Sequence, residues 1–246
     1  MSVSLRATVK LWVDEAAHIA VLTGAGMSAE SGVPTFRDAL TGLWAQFNPE
    51  ELATEAAFRA HPRRVWDWYA QRRAALTAVE PNAGHRALAA FALRHPDRLT
   101  LMTQNVDGLH QRAGSTDAIA LHGSITQDQW LDTPRACCQP GSVEAGHPPR
   151  CAVCGNLRRP AVVWFGEPLP AAALAAAEAA ARACDLMLVV GTSGVVYPAA
   201  GLALTAHQCG ARVVIINPEA TDLDPVADVC LHEPAADTLP ALLDLP

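Results

Sequence analysis

The chain has no apolar run long enough to span a membrane. Its longest weakly polar stretch, Ala171 to Ala183, is broken by Glu178 and Arg182 and reads as a soluble helix. The start, Met1-Ser2-Val3-Ser4-Leu5-Arg6, lacks the apolar core of a secretory signal. Basic charge is in deficit: 18 Lys and Arg against 25 Asp and Glu give a formal charge of −7. That argues against direct nucleic-acid binding and remains compatible with a basic protein partner. Internal repeats are missing. So is a disulfide framework, because the seven cysteines are odd in number and four crowd between 137 and 154. Such crowding points to a metal or free thiols in a reducing compartment, and the expected location is cytoplasmic. Hydrophobic residues are plentiful at 50% of 246, enough to core one domain with insertions.

The chain is organised around Val21 to Asp38. An apolar strand (Ile19 to Leu22) breaks at Gly24 and Gly26, where small residues let backbone approach a ligand. From Ser28 onward the spacing predicts a helix whose N–H groups face an anion. Gly24-x-Gly26-x-x-Ala29 fits a dinucleotide fingerprint, although such a pattern alone is often an ordinary tight turn. A dehydrogenase would place a ribose-binding acid about twenty residues further on. Here Glu50 and Glu51 fall inside a helical insertion instead. Gly32-Val33-Pro34-Thr35-Phe36-Arg37-Asp38 forms a polar loop placed to fold over the glycine turn.

Elsewhere, an amphipathic helix is predicted over about 7–18 and helices over about 49–79, with Pro62 opening the last of these. Asn82 caps another helix ending near Arg94. Strands follow at Leu99–Thr103, Ala118–Leu121, Asp185–Val190, Arg212–Ile216 and Val229–Leu231. The 185–190 run is continuously apolar, as in a parallel sheet covered on both faces. The fold class is α/β, a Rossmann-like doubly wound parallel sheet. Its core covers about 1–40, 82–123 and 161–246; a small module covers about 41–81 (helical) and 124–160 (cysteine-bearing).

Polar residues gather where strands end, the ligand edge of such sheets. Gln104-Asn105-Val106-Asp107 follows one strand, and Leu121-His122-Gly123-Ser124 another. Imidazole titrates near neutrality and suits proton abstraction from a hydroxyl. His85, His110 and His147 have no comparable position. Gly191-Thr192-Ser193 and Asn217-Pro218-Glu219 end two further strands.

Together these segments resemble the sirtuin (Sir2) family of NAD-dependent protein deacylases, from about Ile19 to Leu243. The resemblance implies NAD as a consumed co-substrate and acyl-lysine-bearing proteins as partners, with neither nucleic acid nor membrane. It assigns cofactor contacts to Gly24, Ala25, Gly26, Ser28, Thr35, Phe36, Arg37, Gln104, Asn105, Asp107, Gly191, Thr192, Ser193, Asn217, Glu219 and Ala235. His122 becomes the general base, and Asn105 orients a water near the nicotinamide. Phe36 shields the reactive carbon, while Arg37 and Asp38 order the loop. The resemblance further implies that the acyl oxygen attacks the ribose carbon bearing nicotinamide and expels nicotinamide. His122 would then activate the ribose hydroxyl that attacks the resulting imidate, and water would complete release of free lysine and O-acyl-ADP-ribose.

Val162-Val163-Trp164-Phe165-Gly166-Glu167 resembles the family's substrate strand, with Val163, Trp164 and Phe165 meeting the peptide. An exposed extended segment can pair with a peptide through its main chain; the alternative is a buried strand. Gly42-Leu43-Trp44, Leu52-Ala53-Thr54 and Val65 to Arg73 resemble the class III members. In those, residues matching Tyr69 and Arg72 bind the acid end of succinyl- or malonyl-lysine, and Ala53 leaves room for the longer group. At i and i+3 on one helix, a phenol and a guanidinium can together grip a carboxylate. A family-type zinc site would need two Cys-x-x-Cys pairs. Cys151 and Cys154 supply one, but Trp130 and Thr133 stand where the other belongs, and Cys137 and Cys138 are adjacent. Adjacent side chains ordinarily diverge. The four-cysteine site, a metal-free module and a role for His147 all stay open. Alternatives to a desuccinylase are a deacetylase, a mono-ADP-ribosyltransferase or a silent NAD sensor.

Overall fold

The computed structural model describes residues 4–34 and 52–244. Helix α1 (Leu5–Glu15) leads into β1 (Ile19–Thr23), and helices α2 (Glu55–Ala60) and α3 (Pro62–Leu76) follow. Next come α4 (Ala83–Arg94), β2 (Leu99–Thr103), α5 (Leu109–Arg112) and β3 (Ile119–Ala120). An arm of β4 (Gly123–Trp130), β5 (Val143–Glu144), β6 (Arg150–Cys151) and β7 (Arg158–Val162) intervenes. The chain closes through α6 (Ala171–Ala183), β8 (Leu186–Val190), α7 (Gly201–Gln208), β9 (Arg212–Ile216), β10 (Val229–Leu231) and α8 (Ala235–Leu242).

One six-stranded sheet runs β10-β9-β8-β1-β2-β3, every neighbour parallel. Strands β1 and β8 are buried at all ten positions, because helices cover both faces. Val9 and Val13 of α1, Leu88 and Phe91 of α4, and Leu239 and Leu242 of α8 pack on one face. Ala177 and Ala181 of α6 with Leu202 and Ala206 of α7 pack on the other. Strand order reverses between β8 and β1, opening the crevice at which doubly wound sheets bind ligands.

Asn82 caps α4: its Oδ1 accepts the His85 N–H at 3.2 Å, and His85 Nδ1 accepts the Asn82 N–H at 3.3 Å. Pro62 opens α3. The predicted helix from Ser28 is replaced by a 3₁₀ turn over Ala25–Ser31, ended by Gly32 at φ 87°. The cause lies outside the segment. Gly24 N–H bonds Val190 O at 2.9 Å and Gly26 N–H bonds Gly191 O at 2.8 Å, tying the turn to β8.

The two insertions share a separate core of Leu52, Phe58, Val65, Trp66, Tyr69, Ile125, Val162 and Trp164. Strands β4 and β7 pair antiparallel, and Arg73 of α3 bonds the carbonyls of Ile125 and Gln127. On the far side of the sheet, Lys10 of α1 is ion-paired with Asp14 and, at 3.0 Å, with Asp244. Among the described residues no helix is long and apolar enough to cross a membrane.

Candidate active site

The carboxyl ends of β1, β2, β3 and β8 bring Gly24, Gln104, Asn105, Asp107, His122 and Gly191 to one edge. Contact between the glycine turns is close. A Cβ on Gly191 (φ 61°) would stand 2.2 Å from Met27 N, and one on Gly26 2.8 Å from Gly191 Cα. Gln104 Nε2 donates to Thr192 Oγ1 at 3.2 Å, joining β2 to the β8 loop.

His122 Nδ1 lies 3.0 Å from Gln104 O. A carbonyl only accepts, so Nδ1 carries the proton and Nε2 is the lone-pair nitrogen. Burial pushes the His122 pKa below its ordinary value, against the opposing bond to Gln104, so the imidazole is a neutral base at pH 7. The main chain of His122 serves too, its carbonyl accepting the Val163 N–H at 2.9 Å.

Asn105 Nδ2 donates to Gly24 O at 3.0 Å and Ser28 Oγ at 3.2 Å. Ser28 Oγ donates to Asp107 Oδ2 at 2.7 Å, while Asp107 Oδ1 accepts Leu109 N–H at 2.9 Å. Burial raises the Asp107 pKa, against the bonds to Leu109 and Ser28. Ser28 is itself buried, so its hydroxyl orders Asn105 and Asp107 from behind.

Two histidines without sequence support join this network. His85 Nδ1 accepts a hydrogen bond from the Asn82 N–H, so Nε2 carries the ring hydrogen; it lies 3.5 Å from Ser28 Oγ. His110 Nε2 is 2.9 Å from Thr23 Oγ1, which donates to Thr103 Oγ1 at 2.8 Å. The two rings sit 4.7 Å apart. Burial lowers the His85 pKa to about 4, helped by Arg86. It lowers that of His110 to about 3, helped by His85. The sequence signal was the Asn82-x-x-His85 cap and the three-residue offset of His110 from Asp107.

At the other end of the crevice Asn217 follows β9, its Nδ2 donating to Glu219 O at 2.6 Å. Ala235 opens α8 and is buried; the next N–H, of Ala236, bonds Glu30 Oε2 at 3.0 Å. Ala25 and Ser193 lie in the two glycine-bearing loops. Thr35, Phe36, Arg37 and Asp38 lie outside the described residues, as do Gly42, Leu43 and Trp44.

On the opposite flank, α3 places Tyr69 and Arg72 on one face, close enough to interact electrostatically. Burial raises the Tyr69 pKa to about 12 and lowers that of Arg72, whose guanidinium lies 4.8 Å over the Trp68 ring. The segment from Val162 to Glu167, read as either an exposed substrate strand or a buried one, is not a strand beyond its first residue. Strand β7 ends at Val162. The following N–H groups are bonded internally: Val163 to His122 O at 2.9 Å, Trp164 to Glu167 Oε2 at 2.8 Å, Phe165 to Ala53 O at 2.9 Å. Trp164 is 2% exposed and Phe165 46%, so only the latter presents its ring outward. The divergence follows from the second core, which claims the indole.

In the cysteine arm, the four-cysteine arrangement is the one of the three open readings that the geometry fits. Sγ atoms of Cys137, Cys138, Cys151 and Cys154 all lie within 4.8 Å of one another. Adjacent cysteines converge because they occupy a turn, closed by Cys138 N–H to Arg135 O at 2.8 Å, and not a strand. Tetrahedral zinc with bonds of about 2.3 Å needs sulfur separations of about 3.8 Å. Cys138 and Cys154 stand at 3.6 Å, so the set fits that ion. His147 is turned away, bonded to Asp67 at 3.0 Å, and Trp130 packs on Arg158.

The Sir2 family profile matches residues 24–198. The NAD-dependent protein deacylase of Ralstonia nicotianae is 59% identical over 239 residues, covering 96% of this chain and 95% of that protein. NAD-dependent protein deacylase 1 of Pseudomonas aeruginosa is 50% identical over 246 residues, covering 97% and 98%. A crystal structure of a Sir2 homolog–NAD complex superposes with a TM-score of 0.85 at 40% identity, covering 98% of this chain and 93% of that one. A doubly wound sheet, a neutral histidine at the carboxyl edge of its strands and a four-thiol arm thus coincide with a match over most of the sequence: the chain belongs to the Sir2 family.

Proposed function

We propose that this protein removes acyl groups from protein lysines with NAD as co-substrate, preferring acyl groups that end in a carboxylate. NAD, when bound, supplies the glycosidic bond whose cleavage drives the transfer. The chain's own residues bind, orient and move protons. Gly24, Ala25, Gly26, Gly191, Thr192 and Ser193 form the edge where phosphate and ribose would lie. Asn217, Glu219 and Ala235 line the adenosine end. Gln104, Asn105 and Asp107 hold the nicotinamide ribose, with Asn105 fixed by Gly24 O and Ser28. His122 Nε2 takes the ribose hydroxyl proton, its tautomer set by Gln104 O. Zinc, held by Cys137, Cys138, Cys151 and Cys154, would fix the arm and take no part in the reaction.

The observation carrying the acyl preference is the Tyr69–Arg72 pair: a neutral phenol and a guanidinium, both largely removed from water, on one helix face. Charge-assisted bonds to a carboxylate are strong in such surroundings. Ala53 adds little bulk beside them, its carbonyl spent on Phe165. Val163 and Phe165 flank the lysine's path.

Mass spectrometry of matched succinyl-lysine and acetyl-lysine peptides, with and without NAD, tests this. The wild type desuccinylates faster. Arg72→Met loses that preference selectively, and His122→Tyr loses turnover of both peptides. Preferred deacetylation by the wild type would refute the acyl assignment alone. No turnover with NAD still bound would refute the enzyme and favour a sensor.

A further inference from the structure

The geometry points to Trp164 as the positioning residue that makes the Tyr69 hydroxyl an obligate donor, so that the pocket selects acyl groups ending in a hydrogen-bond acceptor. This rests on the acyl preference proposed above.

A phenol ordinarily donates or accepts, and its O–H turns to suit. An indole N–H can only donate. Trp164 Nε1 lies 3.0 Å from Tyr69 Oη, so the phenol oxygen accepts and its proton must point elsewhere. Among the described residues that is the one hydrogen bond made by Tyr69 Oη. A carboxylate accepts and never donates when ionised, which is what an aimed O–H requires. Donation into the phenol oxygen also polarises its O–H, strengthening the outgoing bond.

The indole itself is clamped. Its main-chain N–H bonds Glu167 Oε2 at 2.8 Å. The Phe58 ring lies 5.3 Å from it, and the Arg159 guanidinium 3.3 Å from its centroid. Arg159 is in turn paired with both oxygens of Glu167 and bonds Val162 O at 2.7 Å. A side chain so enclosed cannot swing its N–H off the phenol, and at 2% exposure it does not touch a peptide.

Trp164→Phe keeps an aromatic ring and deletes the donor. We expect kcat/KM for the succinyl-lysine peptide to fall ~5-fold, the worth of one such bond, and chiefly through KM. The acetyl-lysine value stays within ~2-fold. In a Tyr69→Phe background the same change has no further selective effect. Equal losses on both peptides, or an undiminished selective loss in the Tyr69→Phe background, would overturn the inference. If Tyr69→Phe and Arg72→Met themselves leave the preference intact, the acyl reading fails. If they abolish it and Trp164→Phe does not weaken it, only the present inference fails. Should Trp164→Phe not fold, the indole ¹⁵N–¹H signal of Trp164 decides. It should move in Tyr69→Phe and on adding succinyl-lysine but not acetyl-lysine peptide; an unmoved signal refutes the inference.

Discussion

Acidification from pH 7.5 to 5.0 will destabilise this protein through His85 and His110. Both imidazoles are folded in the neutral form, with pKa values near about 4 and about 3 against an ordinary 6.5. Between those limits the unfolded chain binds a proton at each ring that the folded chain refuses, so stability falls as pH falls. At pH 5.0 each ring is about 1.5 pH units below its unfolded pKa, a loss of about 2 kcal/mol apiece. The pair therefore removes about 4 kcal/mol, a large part of the 5–15 kcal/mol typical of a folded domain. Arg86 beside His85, and His85 beside His110, contribute to these shifts in the same direction as burial. Asp107, its pKa raised by burial, opposes them, since the folded state takes up its proton earlier than the unfolded one. Urea unfolding followed by circular dichroism at constant ionic strength reads the difference. With a slope of about 2–3 kcal/mol per molar, the midpoint should fall by about 1.5 M. His110→Gln, which keeps a donor for Thr23 and cannot ionise, should show about half that fall. A wild-type midpoint that moves less than about 0.3 M would refute the reasoning.

Gly191→Ala would drive a Cβ to 2.2 Å from Met27 N at φ 61°, so the turns around the crevice must part. A loss of about 3 kcal/mol and a thermal midpoint lower by about 10 °C are expected, with weakened NAD binding; an unchanged melt contradicts the packing argument. Protein purified without chelator should carry about one zinc per chain, and both Cys138→Ser and Cys151→Ser should lose it. Full zinc retained in Cys138→Ser, measured by atomic emission, would remove the adjacent cysteine from the ligand set.

Much of the fold was legible because its signals are local. The continuous apolar run of β8 marks a strand covered on both faces, and Asn82 marks the start of α4. The ligand edge follows from where those strands stop. The features that escaped depend on partners distant in sequence. The 3₁₀ form of residues 25–31 is imposed by carbonyls of Val190 and Gly191. Trp164 sits in an apolar run with no alternation, so nothing local says which face it takes. Convergence of Cys137 and Cys138 depends on a turn that residue spacing does not encode. His85 and His110 meet only because α4 and α5 pack together.

The chain contains one lysine, Lys10; every other fixed cation is an arginine. Burial would lower the pKa of that amine, but its bonds to Asp14 and Asp244 prevail and raise it above the ordinary value. A protonated ammonium held between two carboxylates is a poor nucleophile. Activated acyl donors such as thioesters and acyl phosphates therefore find almost no amine to attack on this surface. An enzyme that reverses lysine acylation thus offers that modification almost no site on its own chain.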